Sequence, residues 1–295
     1  MPVSNYAFRG LKGEKGKNIM KKMIINLAPT GMIPTKQITP HVPVSVDEIV
    51  NCVEQCYLLG ASMVHIHARD EDGKPTYKKD VYSRIIYGIR ERVSDIVIVA
   101  STSGRNFKQF SKRSEVLELK GDLKPDMASL TLGSMNFINQ ESVNSPEMIR
   151  RLVYKMMEND IKPELEIFDL GMINYSKYLI KKELIEGPHY YNIFMGSINS
   201  IQAKHSHLGA VEQDLPENSI KSYAGLGKSQ KLANAYGVLN EDGIRVGLED
   251  NIWMDSNKTV KATNEELVSR ILRMADVYER KIASPSEVRQ ILNLF

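Results

Sequence analysis

The sequence predicts a single-domain (β/α)8 TIM barrel, on three observations. Eight short runs of strand character alternate with stretches of helical periodicity along the chain. The length, 295 residues, suits one barrel of this kind. A doubly wound open sheet, the main competitor, would place a glycine-rich phosphate turn after its first strand, and here that strand runs into A-P-T-G-M-I-P-T.

The first strand falls at 23–29 (MIINLAP), the second at 63–69 (MVHIHAR), the third at 96–102 (IVIVAST) and the fourth at 127–133 (MASLTLG). Four more follow at 164–169 (ELEIFD), 191–197 (YNIFMGS), 222–227 (SYAGLG) and 243–250 (GIRVGLED). Most are rich in Ile, Val, Leu or aromatic side chains, as strands are. Helix 45–59 opens S-V-D-E, with Ser45 and Glu48 at capping-box spacing. Helix 145–159 opens Ser-Pro-Glu, with Pro146 where a first turn tolerates proline. Helix 263–281 opens T-N-E-E and sets Leu267, Ile271, Met274 and Tyr278 on one stripe. The stretch 201–218 reads largely as loop. No repeat beyond the βα alternation is visible, so the expected organisation is a basic extension, 1–22, and a barrel, 23–295.

Apolar residues at 42% and charged residues at 25% are globular proportions, which exclude a mainly disordered, collagen-like or disulfide-stapled chain. No apolar run approaches the roughly eighteen residues that span a bilayer, and the polar start is not a signal peptide, so a cytoplasmic protein without a membrane partner is expected. The net charge of +3 comes from the N-terminus. Residues 1–22 hold six basic side chains against Glu14, leaving 33 basic and 35 acidic residues in the rest. No basic face is implied, and nucleic acid is not an expected partner. Cys52 and Cys56, at i, i+4 spacing, read as ordinary reduced cysteines on a helix face.

The strongest chemical signal is H-I-H, His65 and His67. In a strand, i and i+2 share a face, so both imidazoles point into the barrel near the strand's C-terminal end, where barrel active sites lie. Two neutral imidazoles suit zinc, while the bland alternative is a pair of histidines in a polar strand end. In the eighth strand Arg245, Gly247 and Glu249 share one face, and barrel closure brings that strand beside the first, with the second on its other side. Glu249 then completes a His2Glu set with an open fourth position; an internal Arg245–Glu249 ion pair is the structural alternative. Asp250 is placed to act as a base, with Arg245 holding it ionised. Hydroxyls gather at other strand ends: Ser101, Thr102 and Ser103, then Ser129 and Thr131. With backbone amides such as that of Gly104, they suit a carboxylate or an oxyanion. G-L-G-K-S at 225–229 is a weak anion-site signal, and His205 and His207 fall in the segment read as loop.

These landmarks resemble the β-keto acid cleavage enzymes, zinc-dependent (β/α)8 proteins. The matching segments are I-N-L-A-P-T-G (25–31), V-H-I-H-A-R-D with D-G-K-P (64–75), I-V-I-V-A-S-T-S-G (96–104), K-P-D-M-A-S-L (124–130), K-P-E-L-E-I-F-D-L-G-M (162–172) and I-R-V-G-L-E-D-N-I-W (244–253). The resemblance implies that a β-keto acid and acetyl-CoA give acetoacetate and a new acyl-CoA, in a homo-oligomer, a tetramer in this family. It implies His65, His67 and Glu249 as Zn2+ ligands, Asp250 as general base with Arg245 as its partner, and Ser101 and Ser129 at the keto-acid carboxylate. Some relatives that act on an amino-substituted keto acid carry an acid two positions after the glycine that follows the first strand. Here that position is Ile33, which disfavours an ammonium and favours a neutral tail. The alternatives are a metal-dependent hydrolase or lyase and a non-catalytic zinc-dependent binding protein. The hydrolase barrels place HxH after the first strand, whereas here it belongs to the second.

Overall fold

The computed structural model describes residues 21–240 and 242–294, so most of the basic extension expected at 1–22 lies outside the described residues. Eight parallel strands close the barrel: β1 (Ile24–Leu27), β2 (Met63–Ile66), β3 (Val97–Ala100), β4 (Met127–Thr131), β5 (Lys162–Ile167), β6 (His189–Met195), β7 (Ser219–Gly225) and β8 (Gly243–Val246). They follow one another around the wall, and β1 lies between β8 and β2, with Asn26 level with both Arg245 and Met63. The predicted fold is the observed one.

Among the described residues the helices are α1 (Val46–Leu58), α2 (Lys79–Arg92), α3 (Phe110–Arg113), α4 (Pro146–Met157), α5 (Leu170–Lys181), α6 (His205–Asp214), α7 (Gln230–Asn240), α8 (Asn264–Val277) and α9 (Pro285–Leu292). The capping signals hold. Ser45 Oγ accepts the Glu48 amide at 3.2 Å and Glu48 Oε2 accepts the Ser45 amide at 3.1 Å; Thr263 with Glu266 and Ser284 with Glu287 repeat the box. Ser145 caps α4 through the Met148 amide.

Two expectations are corrected. Residues 205–214 form α6 rather than loop; only Leu208 and Val211 of this helix are buried, too few to print a clear stripe in the sequence. The eighth strand stops at Val246, and 248–250 form a turn, because Gly247 lies against β1: a Cβ there would sit 2.0 Å from the Ala28 carbonyl oxygen.

Inward side chains stack in layers, as the two-residue period requires. Ile24, Met63, Val97, Val99, Met127, Tyr190 and Ile220 fill the bottom, where Val288 and Leu292 of α9 join the same apolar cluster. The next layer is polar and fully enclosed: Asn26, His65, Glu164, Asn192, Ser222 and Arg245. Above it lies the mouth.

Candidate active site

His65 and His67 share a face as predicted, with ring centroids 5.1 Å apart and both rings buried. His67 lies just past β2, which ends at Ile66; the chain then folds back in a short antiparallel pair, Ala68–Arg69 with Pro75–Thr76. Asp70 fixes that turn by accepting the Asp72 and Lys74 amides. Arg69 reaches across to the loop after β1, donating to the Gly31 carbonyl at 2.6 Å and the Pro34 carbonyl at 2.9 Å.

Glu249 reaches the mouth by the turn after β8 and not by strand alternation. Its amide donates to the Ala28 carbonyl at 3.2 Å. Gly31, at φ +67°, lies directly over it: a Cβ would come within 2.5 Å of Glu249 Cγ. Glu249 Oε1 is 3.1 Å from His67 Nε2 and 2.9 Å from Arg245 Nη2. The Arg245 guanidinium also grips Asp250, with Nε 3.0 Å from Oδ2 and Nη2 3.3 Å from Oδ1, and it stands over the Phe194 ring at 4.9 Å. The Gly227 amide donates to the Asp250 carbonyl at 2.8 Å, so Asp250 is fixed through both backbone and side chain.

Burial sets the baseline for these charges, and neighbours decide the outcome. Burial acts to raise Glu249, but Arg245 and the imidazoles hold its carboxyl well below the usual range. At Asp250 burial, aided by the Glu249 charge, prevails over Arg245 and the pKa is raised, against the expectation that Arg245 holds this carboxyl ionised. Burial acts to lower both imidazoles; the Glu164 carboxylate reverses this at His65, whereas His67 stays lowered and so favours the neutral ring.

The donor set fits a zinc ion. Ligand atoms of His65, His67 and Glu249 all lie within 4.8 Å of one another. Glu249 Oε2 and His67 Nδ1 are buried without a hydrogen-bond partner. The 3.1 Å between His67 Nε2 and Glu249 Oε1 is close to the ~3.3 Å edge of a tetrahedron with bonds near 2.0–2.1 Å. His65 Nδ1 is engaged by Glu164 Oε2 at 2.6 Å, which leaves Nε2 for a metal, the carboxylate–histidine arrangement common behind zinc ligands. His65, Glu164 and Glu166 form a second close trio, but Glu164 already accepts from Asn26, Asn192 and His65.

His65, His67, Glu249 and Asp250 line one cavity together with Ser101, Thr131 and Ile33. Ser101 Oγ accepts the Ser103 amide at 3.2 Å. Thr131 donates to Glu166 Oε2 at 2.7 Å. Ser129 sits behind the wall, where Oγ accepts the Thr102 amide at 3.1 Å, and Gly104 lies under Arg113, 2.7 Å from a built Cβ to Nη1; neither lines the cavity. Ile33 is at the rim of the cavity and 51% exposed.

Other sequence signals resolve into structure. His205 Nδ1 pairs with the Tyr236 hydroxyl at 2.6 Å, and His207 Nδ1 accepts the Gln202 amide at 2.9 Å. The glycines of 225–229 serve close packing: a Cβ on Gly225 would lie 2.4 Å from the Ser229 carbonyl oxygen. Cys52 and Cys56 are buried on α1 as free thiols, beside Glu265. Sequence reading passed over two residues. Glu164 orients His65 from the opposite wall, a pairing that only barrel closure creates. Arg105 lines the cavity from the turn after β3, with its guanidinium carbon 3.5 Å over the Phe137 ring.

A closed (β/α)8 barrel whose ionisable cluster sits beyond the C-terminal ends of its strands is an enzyme architecture. The family model for beta-keto acid cleavage enzyme matches residues 22–294, and the chain belongs to that family. It is 36% identical over 277 residues to the 3-keto-5-aminohexanoate cleavage enzyme of Fusobacterium nucleatum, covering 94% of this chain and 99% of that one. It is 32% identical to the 3-oxoadipate:acetyl-CoA acetyltransferase of Cupriavidus necator, covering 92% and 94%. Among solved structures it is similar in fold to ObcA in its apo form, with a TM-score of 0.75 at 21% identity, over 86% of this chain and 66% of that longer one. Among the described residues no helix is long and apolar enough to cross a membrane.

Proposed function

We propose that this β-keto acid cleavage enzyme condenses a β-keto acid with acetyl-CoA, giving acetoacetate and a new acyl-CoA, with zinc held by His65, His67 and Glu249. The observation that carries the reading is the convergence of this donor set and an Arg245-held carboxylate on one cavity. Bound zinc supplies Lewis acidity toward the β-carbonyl, which makes the adjacent CH2 acidic. Asp250 accepts that proton, since it faces the cavity and is fixed at both ends. The resulting carbanion adds to the acetyl thioester and expels the CoA thiolate; the thiolate adds to the former keto carbon, and the retro-Claisen break gives the acyl-CoA and a carbanion that takes the proton back from Asp250 to become acetoacetate. The Ser101 hydroxyl faces the keto-acid carboxylate; Ser129 acts on it through the Thr102 amide and Gly104 through the turn it allows. We carry over a homo-oligomeric assembly from the resemblance, to be checked by light scattering.

The relatives' names span an amino-substituted and a dicarboxylic keto acid, so this chain's own residues must discriminate. Ile33 offers no charge to an ammonium at the rim, which disfavours the amino-substituted class. The test is a mass-spectrometric screen of β-keto acids with acetyl-CoA and zinc-loaded protein. Acetoacetate together with a matching acyl-CoA is the expected result. Zinc bound at one per chain, with no acyl-CoA from any keto acid, would leave a binding protein and refute the reaction.

A further inference from the structure

Four arginines lie at this end of the barrel, and three of them are held by protein partners, although Arg69 Nε and Arg245 Nη1 are buried without one. Arg69 donates to the Gly31, Pro34 and Gly73 carbonyls. Arg113 donates to Thr102 and Val143 carbonyls and to Asn144 Oδ1. Arg245 holds Glu249 and Asp250. Arg105 differs. Among the described residues its guanidinium makes no hydrogen bond and no ion pair, although it is partly buried in the cavity wall.

Its position is nonetheless fixed. The Arg105 amide donates to Ser103 Oγ at 3.3 Å, and the preceding Gly104 is clamped beneath Arg113. The guanidinium carbon lies 3.5 Å over the centre of the Phe137 ring, which stands edge-on to Phe168 at 6.0 Å; Phe168 stacks on Phe194 at 4.6 Å, and Phe194 carries Arg245. A ladder of three aromatic rings thus has a guanidinium at each end. One is neutralised at the reacting carboxylates, and the other is open to the cavity. A guanidinium held rigid and unpaired in a half-desolvated site is organised for an anion, and its planar fork suits a carboxylate.

We propose that Arg105 is the specificity-determining contact for a second, distal carboxylate, so that the preferred substrate is a β-keto dicarboxylic acid. This rests on the β-keto acid reading above. The distal carboxylate is favoured over the C1 carboxylate because Arg105 lies beyond the barrel rim, past the end of β3 at Ala100, and the three-ring ladder separates it from Arg245 and its Asp250.

The test compares kcat/KM for a β-keto dicarboxylate and for its analogue with methyl in place of the distal carboxylate, in the zinc-loaded native enzyme, Arg105→Gln and Arg105→Lys. A charge-assisted contact predicts a native preference of about ten- to a hundredfold for the dicarboxylate, chiefly in KM. Arg105→Gln should bring the ratio near one, and Arg105→Lys should retain part of it. A native ratio near one, or a ratio unchanged in Arg105→Gln, overturns the proposal. If Arg105→Gln slows both keto acids equally and the loss vanishes with a phosphate-free acyl donor, S-acetyl-N-acetylcysteamine, Arg105 holds CoA phosphates and the proposal falls. An equal loss with either donor assigns Arg105 to the C1 carboxylate and also overturns it. Calorimetric binding of the two keto acids reads the same ratio without turnover. It therefore decides the matter even if the reaction itself is absent, which is a separate failure of the proposed function.

Discussion

Replacing Glu164→Gln should weaken zinc binding about 10- to 100-fold, or about 1.4–2.8 kcal/mol, while the barrel stays folded. Glu164 is fully buried, and its carboxylate meets only donors: Asn26 Nδ2 at 2.8 Å and Asn192 Nδ2 at 2.6 Å on Oε1, and His65 Nδ1 at 2.6 Å on Oε2. A glutamine amide has one oxygen and one NH2, so it cannot accept on both sides. If the oxygen stays with the asparagines, the NH2 faces His65 and requires Nδ1 to be the acceptor. The ring proton then moves to Nε2, the nitrogen needed as ligand. If the amide turns the other way, two asparagine donors confront an NH2 inside the barrel. Either orientation costs on the order of 1–3 kcal/mol for an unmet buried group. The assay is zinc competition against a chelator of known affinity, with thermal melting of metal-free protein as the folding control. A zinc Kd within twofold of the native value, in a folded variant, would refute the claim that Glu164 orients this ligand.

Asp250→Asn should retain one zinc per chain and lose at least about 100-fold in kcat, because it removes the proton acceptor and not a ligand; activity within a few-fold of native would move the base elsewhere, with Glu166 next. His65→Ala should lose metal and turnover together with an unchanged circular dichroism spectrum, and full metal occupancy in that variant would remove this residue from the site. Gly31→Ala combines a φ of +67° with a Cβ 2.5 Å from Glu249 Cγ. It should cost about 1–2 kcal/mol in stability and lower zinc occupancy; a native melting temperature and zinc content would show that Glu249 is not held there. Ile33→Glu should shift kcat/KM toward an amino-substituted keto acid, and a native enzyme that already prefers that substrate would sink the inference from Ile33.

The βα alternation was legible because each strand carries its apolar outward face in its own residues, and the H-I-H pair because period-two geometry needs no tertiary knowledge. Glu249 was found by a route that the structure corrects. Strand alternation placed it at the mouth, yet the strand stops at Val246 and a turn around Gly247 delivers it. Helix α6 was missed because Leu208 and Val211 alone carry its buried face. Glu164 and Arg105 were illegible for a different reason. The first acts on His65 from across the barrel, 99 residues away, and the second acquires its meaning from Phe137 on a separate loop. Local pattern encodes which face a side chain takes, and closure decides what it meets there.

Four carboxylates, Glu164, Glu166, Glu249 and Asp250, share this end of the barrel with the guanidiniums of Arg245 and Arg105. The two acids that Arg245 holds are neighbours in sequence, Glu249 facing His67 and Asp250 turned away from it, so one guanidinium separates the carboxylate that would bind metal from the carboxylate that would move a proton. Moving either acid by one position would exchange those partners. That is why the turn after β8, fixed by Gly247 against Ala28 and by Gly31 against Glu249, matters more to the chemistry than any single side chain it presents.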